Sequence, residues 1–329
     1  MHDAVAKYSA EMGVNVTAVN SGFTDEGDTS IGGEAVISLQ APKIAIAADE
    51  GVDQESYGSI WWTLEKKGIA FTPMTISNIR GGGLRNYNVL ILPDGSPTRY
   101  FSSFGTGGVT ALKEWVSNGG TIVAVRGASV FSALKDVALT STKLVGSADD
   151  EQKDKADDAK KETQPTPSPT PQRTAAQTDR DPNAEPRGER EFDFPSLPPI
   201  ASPSANANKV PEALPGSIMR ATVDRTTYLN YGVNQNQLPV ILGSGYFFRY
   251  SKEGTNALVF DAEPVKPLTV SGFVWEGNTE ELLRGTSYLI DESMGRGHVI
   301  LFAEDPFFRG LFRSTTRPFF NSILFNGIF

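Results

Sequence analysis

Between Pro42 and Val125, short apolar runs alternate with stretches whose apolar positions recur every three or four residues. Lys43-Ile-Ala-Ile-Ala-Ala48, Ile69-Ala-Phe-Thr-Pro-Met-Thr75, Asn88-Val-Leu-Ile-Leu-Pro93 and Thr121-Ile-Val-Ala-Val125 have the length and make-up of buried parallel strands. Between them, Tyr57 to Lys67 reads as a helix with Ile60, Trp61 and Leu64 on its apolar face and Gly68 as its stop. Val109 to Ser117 reads as another, stopped by Asn118-Gly-Gly120. Strands alternating with helices at this spacing predict an α/β fold, a mostly parallel sheet with helices on both faces.

Two regions depart from that rhythm. Residues 1–41 read as a connector: a short helix carrying Val5, Tyr8 and Met12, a strand over Val14–Val19, and a Gly/Asp-rich loop from Ser21 to Gly33. From 147 to 214 a mixed-charge run and the proline ladder Thr163-Gln-Pro-Thr-Pro-Ser-Pro-Thr-Pro171 carry too little apolar surface to offset the entropy of ordering. That stretch reads as a disordered insertion or an extended tether, with Phe192, Phe194, Leu197 and Ile200 as the residues able to dock on the body. The fold, split into 42–146 and 215–329, resumes with Ser217–Val223, Val240–Leu242, Tyr246–Tyr250, Ala257–Phe260 and Val270–Trp275. A hairpin turning at Met294–Gly297 between Ser287–Ile290 and His298–Phe302 comes after these, then a helix over Thr316–Phe325. Short strands between Gly/Asn turns predict an antiparallel extension of the sheet.

Composition narrows the chemistry. A net charge of −9 disfavours nucleic-acid phosphates as partners, and no apolar run is long enough to span a bilayer. With no cysteine there is no disulfide, thiolate nucleophile or cysteine-ligated zinc. The start, Met1-His-Asp-Ala-Val-Ala-Lys-Tyr8, has no basic, apolar signal pattern and reads like the middle of a helix, as in a fragment lacking an upstream part. The two histidines, His2 and His298, stand outside any zinc-binding spacing, so neither metal nor cofactor is expected.

Thr121 to Ser129 is the stretch with the most functional content: a strand running into the small-residue corner Gly127-Ala128, the shape on which α/β enzymes mount a nucleophile. Here the corner carries Arg126 in place of one. Loops after parallel strands converge at one edge, which places Asp94, Arg126, Ser129 and Glu304 as neighbours. Ser129 is a candidate nucleophile with His298 as base and Asp94, Glu304 or Asp305 orienting it; it reads equally as a helix N-cap. Gly105-Thr-Gly-Gly108 offers N–H groups to an anion or is simply the start of a helix. Arg309, among Phe302, Phe307, Phe308 and Phe312, belongs to a recognition surface or pairs with carboxylates around a packed aromatic core.

Several blocks together resemble the C-terminal region of bacterial zinc carboxypeptidase-family proteins. They are Pro42-Lys-Ile-Ala-Ile46, Tyr57-Gly-Ser-Ile-Trp-Trp62, Tyr87-Asn-Val-Leu-Ile-Leu-Pro-Asp-Gly95, Gly119-Gly-Thr-Ile-Val-Ala124, Gly295-Arg-Gly-His-Val-Ile-Leu-Phe-Ala-Glu-Asp-Pro-Phe-Phe-Arg309 and Asn321-Ser-Ile-Leu-Phe325. The resemblance implies a class I glutamine amidotransferase-like domain of flavodoxin-like architecture, following a peptidase domain that holds the zinc. It also implies an extracytoplasmic location. The amidotransferase cysteine has no counterpart at Arg126-Gly127-Ala128, and no zinc-ligand motif is present, so no catalytic residue carries over.

The expectation is a non-catalytic ancillary domain, scaffold or substrate-presenting, working in cis with a zinc carboxypeptidase domain. The alternatives are a serine hydrolase using Ser129 and His298, or a module binding a peptide or glycan around Asp94, Arg126 and Arg309.

Overall fold

A computed structural model describes residues 1–23, 30, 33, 39, 41–49, 51–147 and 210–325. The chain runs α1 (His2–Met12), β1 (Ile44–Ala47), α2 (Gln54–Lys66), β2 (Phe71–Met74), α3 (Ile76–Arg80), β3 (Val89–Leu92), α4 (Pro97–Ser117), β4 (Thr121–Val125) and α5 (Gly127–Ala133). After residue 210 come β5 (Ser217–Val223), β6 (Gln237–Leu242), β7 (Phe248–Arg249), β8 (Thr255–Val259), β9 (Thr269–Gly272), α6 (Thr279–Leu283), β10 (Thr286–Met294), β11 (Gly297–Phe302) and α7 (Thr316–Leu324).

All the described strands join one sheet in the order β2-β1-β3-β4-β11-β10-β8-β5-β6, with β7 beside β10 and β9 beside β5. From β2 through β11 the pairing is parallel. From β10 outward it is antiparallel. Burial follows this division. Every residue of β1, β3, β4 and β11 is buried, as in a sheet covered on both faces, whereas β5 alternates buried and half-buried. The α/β class and the antiparallel extension are those the pattern predicts; the extension reaches well beyond an edge strand.

The chain leaves β1 towards β2 on one side and β3 towards β4 on the other. Right-handed crossovers then put α2 on one face and α3 and α4 on the other. Accordingly α4 packs against both α3 and α5, and α2 packs against the turn Phe308–Gly310. The direction of winding reverses between β1 and β3, and the loops after these strands flank the crevice this reversal opens.

Several local expectations are corrected. α2 starts at Gln54 because Asp53 Oδ1 accepts the Ser56 N–H at 2.9 Å. Its buried stripe includes Ser59, Ile60, Thr63 and Leu64, which leaves Trp61 40% exposed instead of on the core face. α4 begins at Pro97 behind the cap Ser96, and Gly105, at φ 60° and ψ 177°, breaks it. The glycine-rich 105–108 is thus a kink inside a helix. Gly108 lets α3 and α4 approach, since a Cβ there would lie 3.2 Å from both Arg80 and Phe104. Val14–Val19 forms no strand: its valines are exposed and have no ladder to join.

Residues 148–209, with Phe192, Phe194, Leu197 and Ile200, lie outside the described residues, as does most of 24–40. On the far side the body begins by Val210, ahead of the expected boundary. The Asn278 side chain donates to Val210 O at 2.9 Å and accepts from Glu212 N at 3.0 Å, and Leu214 is buried. No helix among the described residues is long and apolar enough to cross a membrane.

Candidate functional site

The loops after β1 and β3 are tied together at the reversal point. Asp53 N–H donates to Asp94 O at 2.7 Å, and Val52 bridges Gly95. Asp94 is the hub of the site: its Oδ1 accepts from Gly95 N at 2.7 Å and Gly127 N at 2.9 Å, and its Oδ2 accepts from Arg126 Nη1 at 2.9 Å.

Arg126 comes directly after β4 with φ 49° and ψ −106°, a sterically costly conformation for a residue with a Cβ. It is the conformation in which a sharp strand-to-helix turn lifts a nucleophile above the sheet. The side chain raised here is a guanidinium. Beyond Asp94, its Nη2 donates to Gly243 O at 2.9 Å, and its Nε lies 3.1 Å from Glu304 Oε1 without aiming its N–H at that oxygen.

Carboxylates crowd beneath it. Glu304 is buried, accepts Gly243 N at 2.8 Å, and is pushed above its usual range by burial, which Arg126 and two backbone N–H groups only partly offset. Asp305 is pushed up to about 6, first by burial and further by the charge of Asp94, against hydrogen bonds from Phe307 N and the serines of α2. Burial pulls Arg126 down, but Glu304 and Asp94 outweigh it and hold the guanidinium above its ordinary value. The outcome is a cation fixed between two carboxylates.

An open cleft of about 440 Å³ lies over this constellation, lined by Gly51–Asp53, Asp94–Pro97, Arg99, Arg126 and Tyr246. Close backbone approach builds its floor: a Cβ on Gly127 would overlap Gly95 O and stand 2.8 Å from Asp94 Oδ1. Gly127→Ala is therefore expected to cost about 3 kcal/mol in urea unfolding, because the contact is with the backbone of Gly95 and only a shift of the Asp94 loop relieves it. Wild-type stability in this variant would show that the corner is looser than described.

Of the residues singled out in the sequence, Asp94, Arg126 and Glu304 come together as expected. Ser129 does not face the cleft and is not an N-cap. It lies inside α5, fully buried, its hydroxyl between Ala124 O at 2.9 Å and Phe302 O at 2.8 Å. His298 pairs in register with Thr121 at the start of β4, so roughly 13 Å of strand separates it from the cleft edge. There its Nδ1 meets Asp291 Oδ1 at 2.9 Å, and Tyr228 donates to the other carboxylate oxygen at 2.9 Å, a buried structural network. Arg309 stands outside the cleft lining on an exposed turn, 3.5 Å from Glu55. Asp53, Arg99 and Tyr246 escaped the sequence reading. Asp53-x-x-Ser56 and Ser96-Pro97 are helix-start signals that would have found two of the loops.

Among the described residues no cluster of histidine and carboxylate groups is arranged to hold a metal ion. The sequence matches no family model and none of the curated proteins. Solved structures of similar fold include a cytoplasmic protein from Salmonella typhimurium (10% identity, TM-score 0.46, 87% of this chain and 98% of that one). They also include a ThuA-like protein from Bacteroides uniformis (10%, 0.43, 88% and 94%) and a glutamine amidotransferase from Thermotoga maritima (8%, 0.41, 80% and 75%). The parallel strand order β2-β1-β3-β4-β11 is that of the flavodoxin-like class.

Proposed function

We propose that this chain is a non-catalytic, ligand-binding ancillary domain of amidotransferase-like fold. The observation that carries the reading is Arg126 at the strained corner. A guanidinium there is donor-only and permanently charged, so it is neither a nucleophile nor a general base. Its carboxylate partners are engaged in holding it. The cleft above has the size of a small-molecule site, and the strand-to-helix corner beneath it presents a guanidinium where a nucleophile would stand. The finer reading, a substrate-presenting partner in cis to an extracytoplasmic zinc carboxypeptidase domain, rests on the sequence blocks from Pro42 to Phe325. In that arrangement all the zinc chemistry belongs to the other domain.

Ser129 provides the test against hydrolysis. The chain is expected to take up no fluorophosphonate, and Ser129→Ala to lose about 1 kcal/mol of stability by removing one buried hydrogen bond. Labelling that disappears in Ser129→Ala would overturn the non-catalytic reading. For the cis arrangement, mass spectrometry of the native protein is expected to return zinc carboxypeptidase peptides contiguous with this chain. A native product holding this domain alone would remove that part of the proposal.

A further inference from the structure

If the cleft is a binding site, its lining also limits what it binds, and charge is the first limit. Four charged side chains line it, Asp53 and Asp94 against Arg99 and Arg126, and Glu304 stands just behind with one more negative charge. An anion approaching Arg126 meets carboxylates already 2.9 Å and 3.1 Å from the guanidinium. A cation approaching Asp94 meets Arg126. A ligand with net charge of either sign gains little here.

Hydrogen-bonding capacity is left over in both senses. A guanidinium has five N–H groups. Nη1 gives one to Asp94 and Nη2 one to Gly243 O, so each terminal nitrogen keeps a second, and the side chain is 33% exposed. Asp53 uses Oδ1 to cap α2, which leaves Oδ2 to accept. Tyr246 adds a half-buried aromatic wall. Donors and acceptors thus stand side by side around a space at the small end of ligand sites, which run from about 300 to 1,000 Å³. Hydroxyls on adjacent carbons match such a lining, because each both gives and accepts a hydrogen bond without carrying charge. An extended peptide fits less well: it binds along an unpaired strand edge, and the strands ending at this cleft, β1 and β3, are paired on both sides.

We infer that the cleft binds a neutral polyhydroxylated ligand, a saccharide of one or two rings, held by Arg126 and Asp53 with Tyr246 as its aromatic wall. This rests on the reading of the cleft as a binding site, and the experiment separates the two. The full chain is titrated by calorimetry with glucose, galactose, mannose, maltose and lactose, and in parallel with inorganic phosphate, citrate and N-acetyl-dialanine amide. At least one saccharide is expected to bind. Its affinity should fall about tenfold in Asp53→Asn, which keeps a capping side chain while losing the charge-assisted bond, and again in Tyr246→Ala. Binding of phosphate, citrate or the peptide with no saccharide binding would overturn the ligand class and leave the binding reading standing. Saccharide binding unchanged in both variants would place the sugar elsewhere and overturn the assignment. No binding by any probe would overturn both.

Discussion

Arg126→Met is expected to destabilise the chain by about 3 kcal/mol at pH 7, because it leaves Glu304 buried without its cation. The guanidinium is one-third exposed, which keeps the loss at the low end of the range for broken buried pairs. Arg126→Gly removes the same charge but also relieves backbone strain of order 1–3 kcal/mol, so it should be the milder of the two. Both deficits should shrink on acidification. Glu304 already sits above its usual range and rises further without Arg126, so the cost of the lone carboxylate is present at high pH and lost once it is protonated. Urea melts of the two variants at pH 7.5 and 5 check this. A glycine variant weaker than the methionine one, or deficits independent of pH, would mean that the ion pair is not what holds the corner.

The second large effect concerns Asp305. Its folded value of about 6 against an ordinary 3.8 means the folded chain binds the extra proton between those two pH values. The stabilisation this gives is complete below about 3.8 and is lost as pH rises through about 6, a swing of about 3 kcal/mol. Asparagine can still accept the Phe307 N–H that Asp305 Oδ1 accepts at 2.9 Å and carries no charge to bury. Asp305→Asn should therefore be more stable than the natural chain at pH 7.5, by up to about 3 kcal/mol, and should have lost the slope between pH 4 and 6. Thermal melts across that range decide it. An asparagine variant no more stable at pH 7.5 would show that the carboxylate is held ionised by partners stronger than those described.

The parallel half of the fold was readable because its strands are unbroken apolar runs, and such runs have one use in a sheet covered on both faces. The corner at Gly127 was readable for the same local reason. What the corner does depends on Glu304, Gly243 and Tyr246, which arrive from β11 and from the loop after β6, and no local pattern encodes those meetings. The convergence of Asp94, Arg126 and Glu304 could still be inferred, because loops after parallel strands share an edge. The position of His298 follows the same rule. As the first residues of a strand, Gly297 and His298 fall at the edge opposite the cleft, and direction along the strand outweighs suitability of the side chain. Val14–Val19 alternates like a strand but has no neighbour to bond with, and alternation alone cannot supply one.

The placement of β11 between β4 and β10 bears on how the molecule comes into being. His298 bonds alongside Thr121, more than half the chain's length away, and among the described residues no other strand joins the parallel and antiparallel portions. During synthesis β4 must wait with one flank open until that late segment emerges from the ribosome. Such a wait favours slow, all-at-once completion and exposes an adhesive edge to other nascent chains.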